Sequence, residues 1–123
     1  EWRKRGTYLP DSGYEAMRAI LGASTVPTCI FAANDDMAVG AMRACQDLGY
    51  SIPGDISIIG YDDMSYAKYL IPRLTTVRKP TDSIVKDGVA ALTQLLDDSA
   101  EKVTKKIIVP TLIVRDSVKD LRN

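Results

Sequence analysis

Four aspartates and one asparagine stand in two short clusters, Asn34-Asp35-Asp36 and Asp62-Asp63, each directly after an apolar run. A carboxylate accepts two hydrogen bonds from neighbouring hydroxyls, and a primary amide both donates and accepts. Those are the groups that grip a polyol or a sugar. The same residue types also cap helices well, and Asp35 and Asp36 are read that way. Asn34 and Asp62 come first in their clusters, nearest the preceding apolar run, and are taken as ligand-binding groups. A rival chemistry is a magnesium site for phosphoryl transfer using Asp62 and Asp63, because clustered aspartates hold a hard cation. It lacks a glycine-rich phosphate loop, since the nearest approach, Val39-Gly40-Ala41, falls inside a helical pattern.

The chain contains no histidine. That removes the commonest general base and metal ligand, and with it most hydrolase and zinc-site readings. No catalytic residue, metal or cofactor is assigned. Sixteen Lys plus Arg balance sixteen Asp plus Glu, whereas a duplex-binding face needs a concentrated excess of positive charge. The short basic stretches, Arg3-Lys4-Arg5 and Lys102 with Lys105-Lys106, are read as solvated loops. Cys29 and Cys45 have no CxxC spacing and are expected to be two buried small hydrophobes in a reducing cytoplasm. No run of ~18 apolar residues is present to cross a membrane. The first residues lack the apolar stretch of a signal peptide. The chain does not begin with Met, and a fragment or processed chain is expected.

The elements that must position these groups alternate between apolar strands and amphipathic helices. At 123 residues the chain has the length of one domain. Gly6-Thr7-Tyr8 reads as a short strand. Ser12-Gly13-Tyr14-Glu15 is a capping-box sequence opening a helix with Tyr14, Met17, Ile20 and Leu21 on its apolar face, stopped by Gly22. Pro27 to Ala33 is a continuous apolar run of the kind buried on both faces. A second helix carries Ala38, Ala41, Met42, Cys45 and Leu48 and ends at Gly49. Ile56 to Tyr61 is a second buried-type strand, about one βαβ unit (~30 residues) further on. A helical turn over Met64 to Tyr69 and a third strand over Leu74 to Val77 follow. Pro80-Thr81 opens a long helix with a stripe at Ile84, Val85, Gly88, Leu92, Leu95 and Leu96. Asp97 to Lys106 reads as a solvated connection, and Ile107 to Val109 and Leu112 to Val114 as terminal strand segments around Pro110. Helices alternating with buried strands make an α/β fold with a parallel sheet flanked by helices. In such sheets, ligands bind beyond the carboxyl ends of the strands.

Tyr8 precedes the first helix, where an aromatic either stacks on a sugar face or packs in the core. Tyr66 and Tyr69 with Leu70 and Ile71 form a patch suited to subunit contact or to core packing.

The stretch Pro27 to Pro80, PTCIFAANDDMAVGAMRACQDLGYSIPGDISIIGYDDMSYAKYLIPRLTTVRKP, closely resembles the lactose/galactose repressor (LacI/GalR) family of bacterial transcription regulators. The motifs AANDxMAxGA, IPxDISIIGYDD and PxLTTV occur in order, and Gly6-Thr7-Tyr8, Ser12-Gly13-Tyr14 and Leu112 to Ser117 fit the same pattern. The resemblance implies the C-terminal lobe of a two-lobed, type I periplasmic-binding-protein-like core, incomplete here. It places residues 1–79 in that effector-binding and dimerisation lobe. It assigns 80–106 to a helix and connection normally packed on the N-terminal lobe, and 107–123 to the return. It implies that Tyr8 stacks on an effector, commonly a sugar, that Asn34 and Asp62 hydrogen-bond it, and that Val39, Tyr69 and Leu70 lie at a homodimer interface. Operator DNA would be bound through a domain absent from this chain, in the cytoplasm and without a membrane.

The same resemblance marks what is lacking. An arginine that family members use on the ligand falls in the absent stretch, and Val85 and Gly88 stand where the family has a glycine and an alanine. Two charged hydrogen bonds at roughly 1.5–3 kcal/mol each, with one stacked ring, barely offset an association cost of about 4–15 kcal/mol. The chain alone is therefore expected to bind effector weakly or not at all, and to expose Ile84, Val85, Leu92 and Leu95. Alternatives from other classes are a periplasmic sugar-binding transport receptor and the magnesium-dependent enzyme.

Overall fold

The computed structural model describes residues 2–96 and 105–122. The chain forms two compact units, Glu1–Arg78 with Leu112–Asn123, and Lys79–Thr111. A four-stranded sheet runs in the order β1 (Cys29–Phe31), β2 (Ser57–Asp62), β3 (Thr75–Arg78) and β4 (Thr111–Ile113). β1 pairs parallel to β2, and β2 parallel to β3. This is the parallel, helix-flanked α/β architecture that the alternating pattern predicts.

Helix α1 (Pro10–Leu21) begins at Pro10, with Leu9 extended before it and no side-chain cap. The expected capping box does not form. Proline at the first helical position has no N–H to satisfy and a preset φ. Ser12 instead accepts the Thr7 amide and donates to the Leu9 carbonyl, which ties the incoming segment to the helix. That segment forms no strand at Gly6 to Tyr8. Helix α2 (Asp35–Asp47) is capped by Asn34 and followed by Gly49 at φ 78. Its small residues Ala38, Ala41 and Ala44, with Cys45, are buried in a core shared with Met17, Leu21, Ile56, Ile58 and Leu74. The two helices pack closely because Gly13 and Gly40 lack side chains. A Cβ on Gly40 would overlap the Pro10 carbonyl, and one on Gly13 the Met37 carbonyl.

β1 corrects one expectation. It is three residues long at the sheet edge, and it is not buried on both faces. Cys29 and Phe31 point to its uncovered side while Ile30 packs on the core, as the two-residue strand period requires. Cys29 is thus an exposed thiol, against expectation, and only Cys45 is buried. β2, with neighbours on both sides, is the buried strand expected. In β3, Thr75 and Thr76 are buried polar residues. Buried Ser117 donates to the Ile58 carbonyl and accepts the Thr75 amide. Among the described residues, no buried side-chain nitrogen or oxygen lacks a partner. The helical turn after β2 shortens to a 3-10 turn over Ala67–Tyr69.

The second unit holds α3 (Thr81–Leu96), none of whose residues is buried. Ile84, Val85, Leu92 and Leu95 are exposed, as expected. Lys106 pairs with Asp87 at 2.5 Å, so it is held rather than freely solvated. Ile107 to Val109 forms no strand. Both of those end residues are exposed, and Pro110, which has no N–H to give a ladder, separates them from β4. Residues 97–104 of the expected connection, Lys102 included, lie outside the described residues. No helix among those described is long and apolar enough to cross a membrane.

Candidate functional site

The sheet register brings two of the expected ligand groups to one rim. Phe31 pairs with Ile59 across the parallel β1–β2 ladder, and Asn34 and Asp62 each follow their member of that pair by three residues. Both therefore sit at the carboxyl ends of adjacent strands. Tyr8 is joined to them through its backbone, because the Asn34 Nδ2 donates to the Tyr8 carbonyl at 2.9 Å. The Tyr8 ring is exposed and its φ is 64. Tyr8 is therefore not part of the core.

Asn34 is also the N-cap of α2, its Oδ1 accepting the Met37 amide at 3.0 Å. One Nδ2 hydrogen and one Oδ1 lone pair remain for a ligand. Asp62, half-buried, has φ 117, in the left-handed region that an aspartate occupies only when its surroundings hold it there.

The residues taken as caps do other work. Asp35 is fully buried and accepts the Thr76 hydroxyl at 2.6 Å and the Met64 amide at 2.7 Å. Burial pushes its carboxyl above the ordinary 3.8, against those two bonds, which favour the charged form. Gly60 makes room for it: a Cβ there would overlap Asp35 Oδ1. Asp36 accepts the Tyr66 hydroxyl. Burial first, and that acceptor second, keep the Tyr66 phenol protonated well above its usual range. Tyr66 is thereby tied to the first turn of α2, whereas Tyr69 beside it is exposed with Lys68 over its ring. Leu70 packs partly against the core, and Val39 is half-buried on α2.

Asp63, at φ 55, accepts Arg78 Nε at 2.6 Å and Arg115 Nη2 at 2.5 Å. Burial alone would raise its pKa, but the bonds from Arg115 and Arg78 outweigh that and hold the carboxyl below 3.8. Sequence reasoning missed this network. Arg115 lies 52 residues from Asp63, and such a pairing leaves no periodic trace in the chain. Asp63 is also one of the two carboxylates of the magnesium alternative, with Asp62, and both of its own oxygens are engaged. Among the described residues, no group of three His, Cys, Asp or Glu is placed to hold a metal ion.

A separate cavity of 440 Å³ lies between residues 2–6, α1 and β1. Its walls include Trp2, Met17, Ile20 and Phe31, with Arg3 to Arg5 along one side. Tyr8 borders it, but Asn34 and Asp62 do not. Its charged wall residues are all cationic, Arg3, Lys4 and Arg5.

Residues 2–118 match the periplasmic binding protein-like domain family. The chain is similar to a probable HTH-type transcriptional repressor ExuR of Bacillus subtilis (strain 168), 40% identical over 121 residues, covering 98% of this chain and 36% of that protein. It is 41% identical over 122 residues to the HTH-type transcriptional repressor PurR of Escherichia coli O1:K1 / APEC, covering 97% of this chain and 35% of the relative. Among solved structures, the lac repressor dimer bound to operator and the anti-inducer ONPF superposes with a TM-score of 0.85 at 34% identity, covering 92% of this chain and 39% of that one. The Escherichia coli transcriptional repressor ascG gives a TM-score of 0.81 at 33% identity, covering 94% of this chain and 41% of that one. The chain thus spans about a third of the length of the curated relatives it matches.

Proposed function

The chain belongs to the periplasmic binding protein-like domain family, as an effector-binding domain of the lactose/galactose repressor kind, and on that premise we propose that it is the effector-binding and dimerisation portion of a transcriptional regulator. Its effector is a small hydroxylated molecule, a sugar in the first instance. Tyr8 stacks on the effector, and Asn34 and Asp62 hydrogen-bond its hydroxyls. Residues 80–106 pack on a second lobe, and the effector bridges the two. Operator DNA is bound by a domain outside this chain, in the cytoplasm. Val39, Tyr69 and Leu70 contribute to a homodimer interface. No catalysis is assigned.

The observation that carries this reading is the placing of Asn34 and Asp62 on adjacent strand ends, with Tyr8 anchored to Asn34. The mechanism is a population shift: an effector favouring one lobe arrangement by ~1–3 kcal/mol changes operator affinity about 5–150-fold. The test is a thermal-shift screen of the full-length protein against monosaccharides and nucleobases, with hits confirmed by titration calorimetry. A monosaccharide should bind, and Asp62→Ala should abolish its binding without unfolding the protein. Binding that survives both Asp62→Ala and Asn34→Ala would move the site elsewhere.

A further inference from the structure

The chain leaves its first unit after Arg78 and re-enters it at Leu112. Within that unit, one carboxylate holds the chain beside both passages. Asp63 Oδ2 accepts from Arg78, the last residue before the exit, at 2.6 Å. Its Oδ1 accepts at 2.5 Å from Arg115, close behind the re-entry. Arg115 is fixed in turn: Nη1 donates to the Leu74 carbonyl at 2.7 Å and its amide to Thr75 Oγ1 at 2.9 Å. Asp63 and Arg115 are nearly buried, with side-chain exposures of 7% and 13%. The Asp63 amide donates to Thr76 Oγ1 at 3.3 Å, and the next amide, Met64, to Asp35. The loop bearing Asp63 is thereby held from the core as well.

One guanidinium is enough to balance one carboxylate charge. The second comes from the other passage. A bidentate carboxylate with each oxygen on a different passage is a clamp. We infer that Asp63 is a positioning residue that pins both passages of the chain to the end of β2, directly beside Asp62. Where Asp62 is read as an effector contact, a group bound there sits one peptide from the residue that holds the exit and the re-entry. The clamp itself does not depend on that reading.

Backbone hydrogen exchange by mass spectrometry on the full-length protein tests it, because exchange reports local opening segment by segment. Arg78→Met should speed exchange at Thr76 to Lys79 by roughly tenfold or more, leaving Leu112 to Arg115 unchanged. Arg115→Met should do the reverse, and Asp63→Asn should loosen both. Amides of α1 and α2 should stay as they are in all three variants. If Arg115→Met fails to fold, Arg115→Lys replaces it, since an ammonium lacks the planar fork that spans Asp63 and Leu74 together. The inference is overturned if removing one arginine loosens both passages alike, if Asp63→Asn changes neither, or if exchange rises uniformly through α1 and α2. A protein that shows the selective pattern but binds no compound of the screen keeps the clamp and loses the effector reading.

Discussion

The Thr76 hydroxyl donates to the Asp35 carboxylate at 2.6 Å with both residues fully buried, joining the first turn of α2 to the third strand beneath the candidate rim. Removing the carboxylate by Asp35→Ala orphans the Thr76 hydroxyl and the Met64 amide, at about 1–3 kcal/mol for each. Asp35→Asn, which keeps an acceptor, should cost less. Urea unfolding of the full-length protein measures the order. If Asp35→Ala proves no more costly than Asp35→Asn, the strut has no energetic content.

Asp35 and Asp63 drive the pH dependence of stability in opposite directions. Asp35 is raised above 3.8 in the folded state, so protonation favours folding. Its contribution is fully present below 3.8 and is lost as pH rises through the raised value. Asp63 is lowered, so its contribution is present above 3.8 and is lost as pH falls through the depressed value. Asp63→Asn should therefore flatten the acid limb of the stability profile, and Asp35→Asn the fall in stability as pH rises above 3.8. Melting temperatures from pH 3 to 7 check both signs.

Two glycines in helix interiors should respond oppositely to alanine. Gly40 has the Pro10 carbonyl where a Cβ would go, and backbone yields little, so Gly40→Ala should destabilise by about 1–3 kcal/mol. Gly88 has nothing within 4 Å, and Gly88→Ala should strengthen α3 by about 0.8–1.0 kcal/mol of helix propensity. Thermal unfolding with circular dichroism separates the two.

The two thiols should differ in reactivity. Cys29 is exposed, whereas burial pushes the Cys45 thiol up to about 11, which withholds the reactive thiolate. For the isolated chain, one equivalent of a disulfide reagent should react promptly at neutral pH, and the second only on denaturation. Equal rates for both would place Cys45 outside the core.

The isolated 123-residue chain should bind monosaccharides no tighter than millimolar and self-associate through α3. Sedimentation velocity should show concentration-dependent association, suppressed by Leu92→Lys. Micromolar affinity in calorimetry would count against the two-lobe account.

Much of the fold is legible in the chain, because helix and strand periods are local properties. Asn34 before a helical stripe, Gly49 behind it and the β-branched run around Ile58 mark α2 and β2 within a residue or two. What fails to show is what neighbours decide. Pro27 to Ala33 reads as a buried strand until the sheet order leaves β1 at the edge, with Phe31 uncovered. Asp35 looks like any helix-opening aspartate, and only Thr76, 41 residues away, makes it a buried strut. Of the candidate rim, Asn34 and Asp62 could be named from their places after apolar runs. Arg78 and Arg115 could not, since their partner is set by the meeting of strands distant in sequence.

Asp62 and Asp63 occupy the left-handed region in succession, at φ 117 and 55, conformations that cost L-residues of order 1–3 kcal/mol each. Glycine would relieve that strain but abolish both carboxylates. The surrounding bonds hold the turn in its costly shape before anything arrives. On the proposed reading, a ligand at Asp62 meets an acceptor whose backbone is already set, and the entropy of ordering that turn belongs to folding and not to recognition.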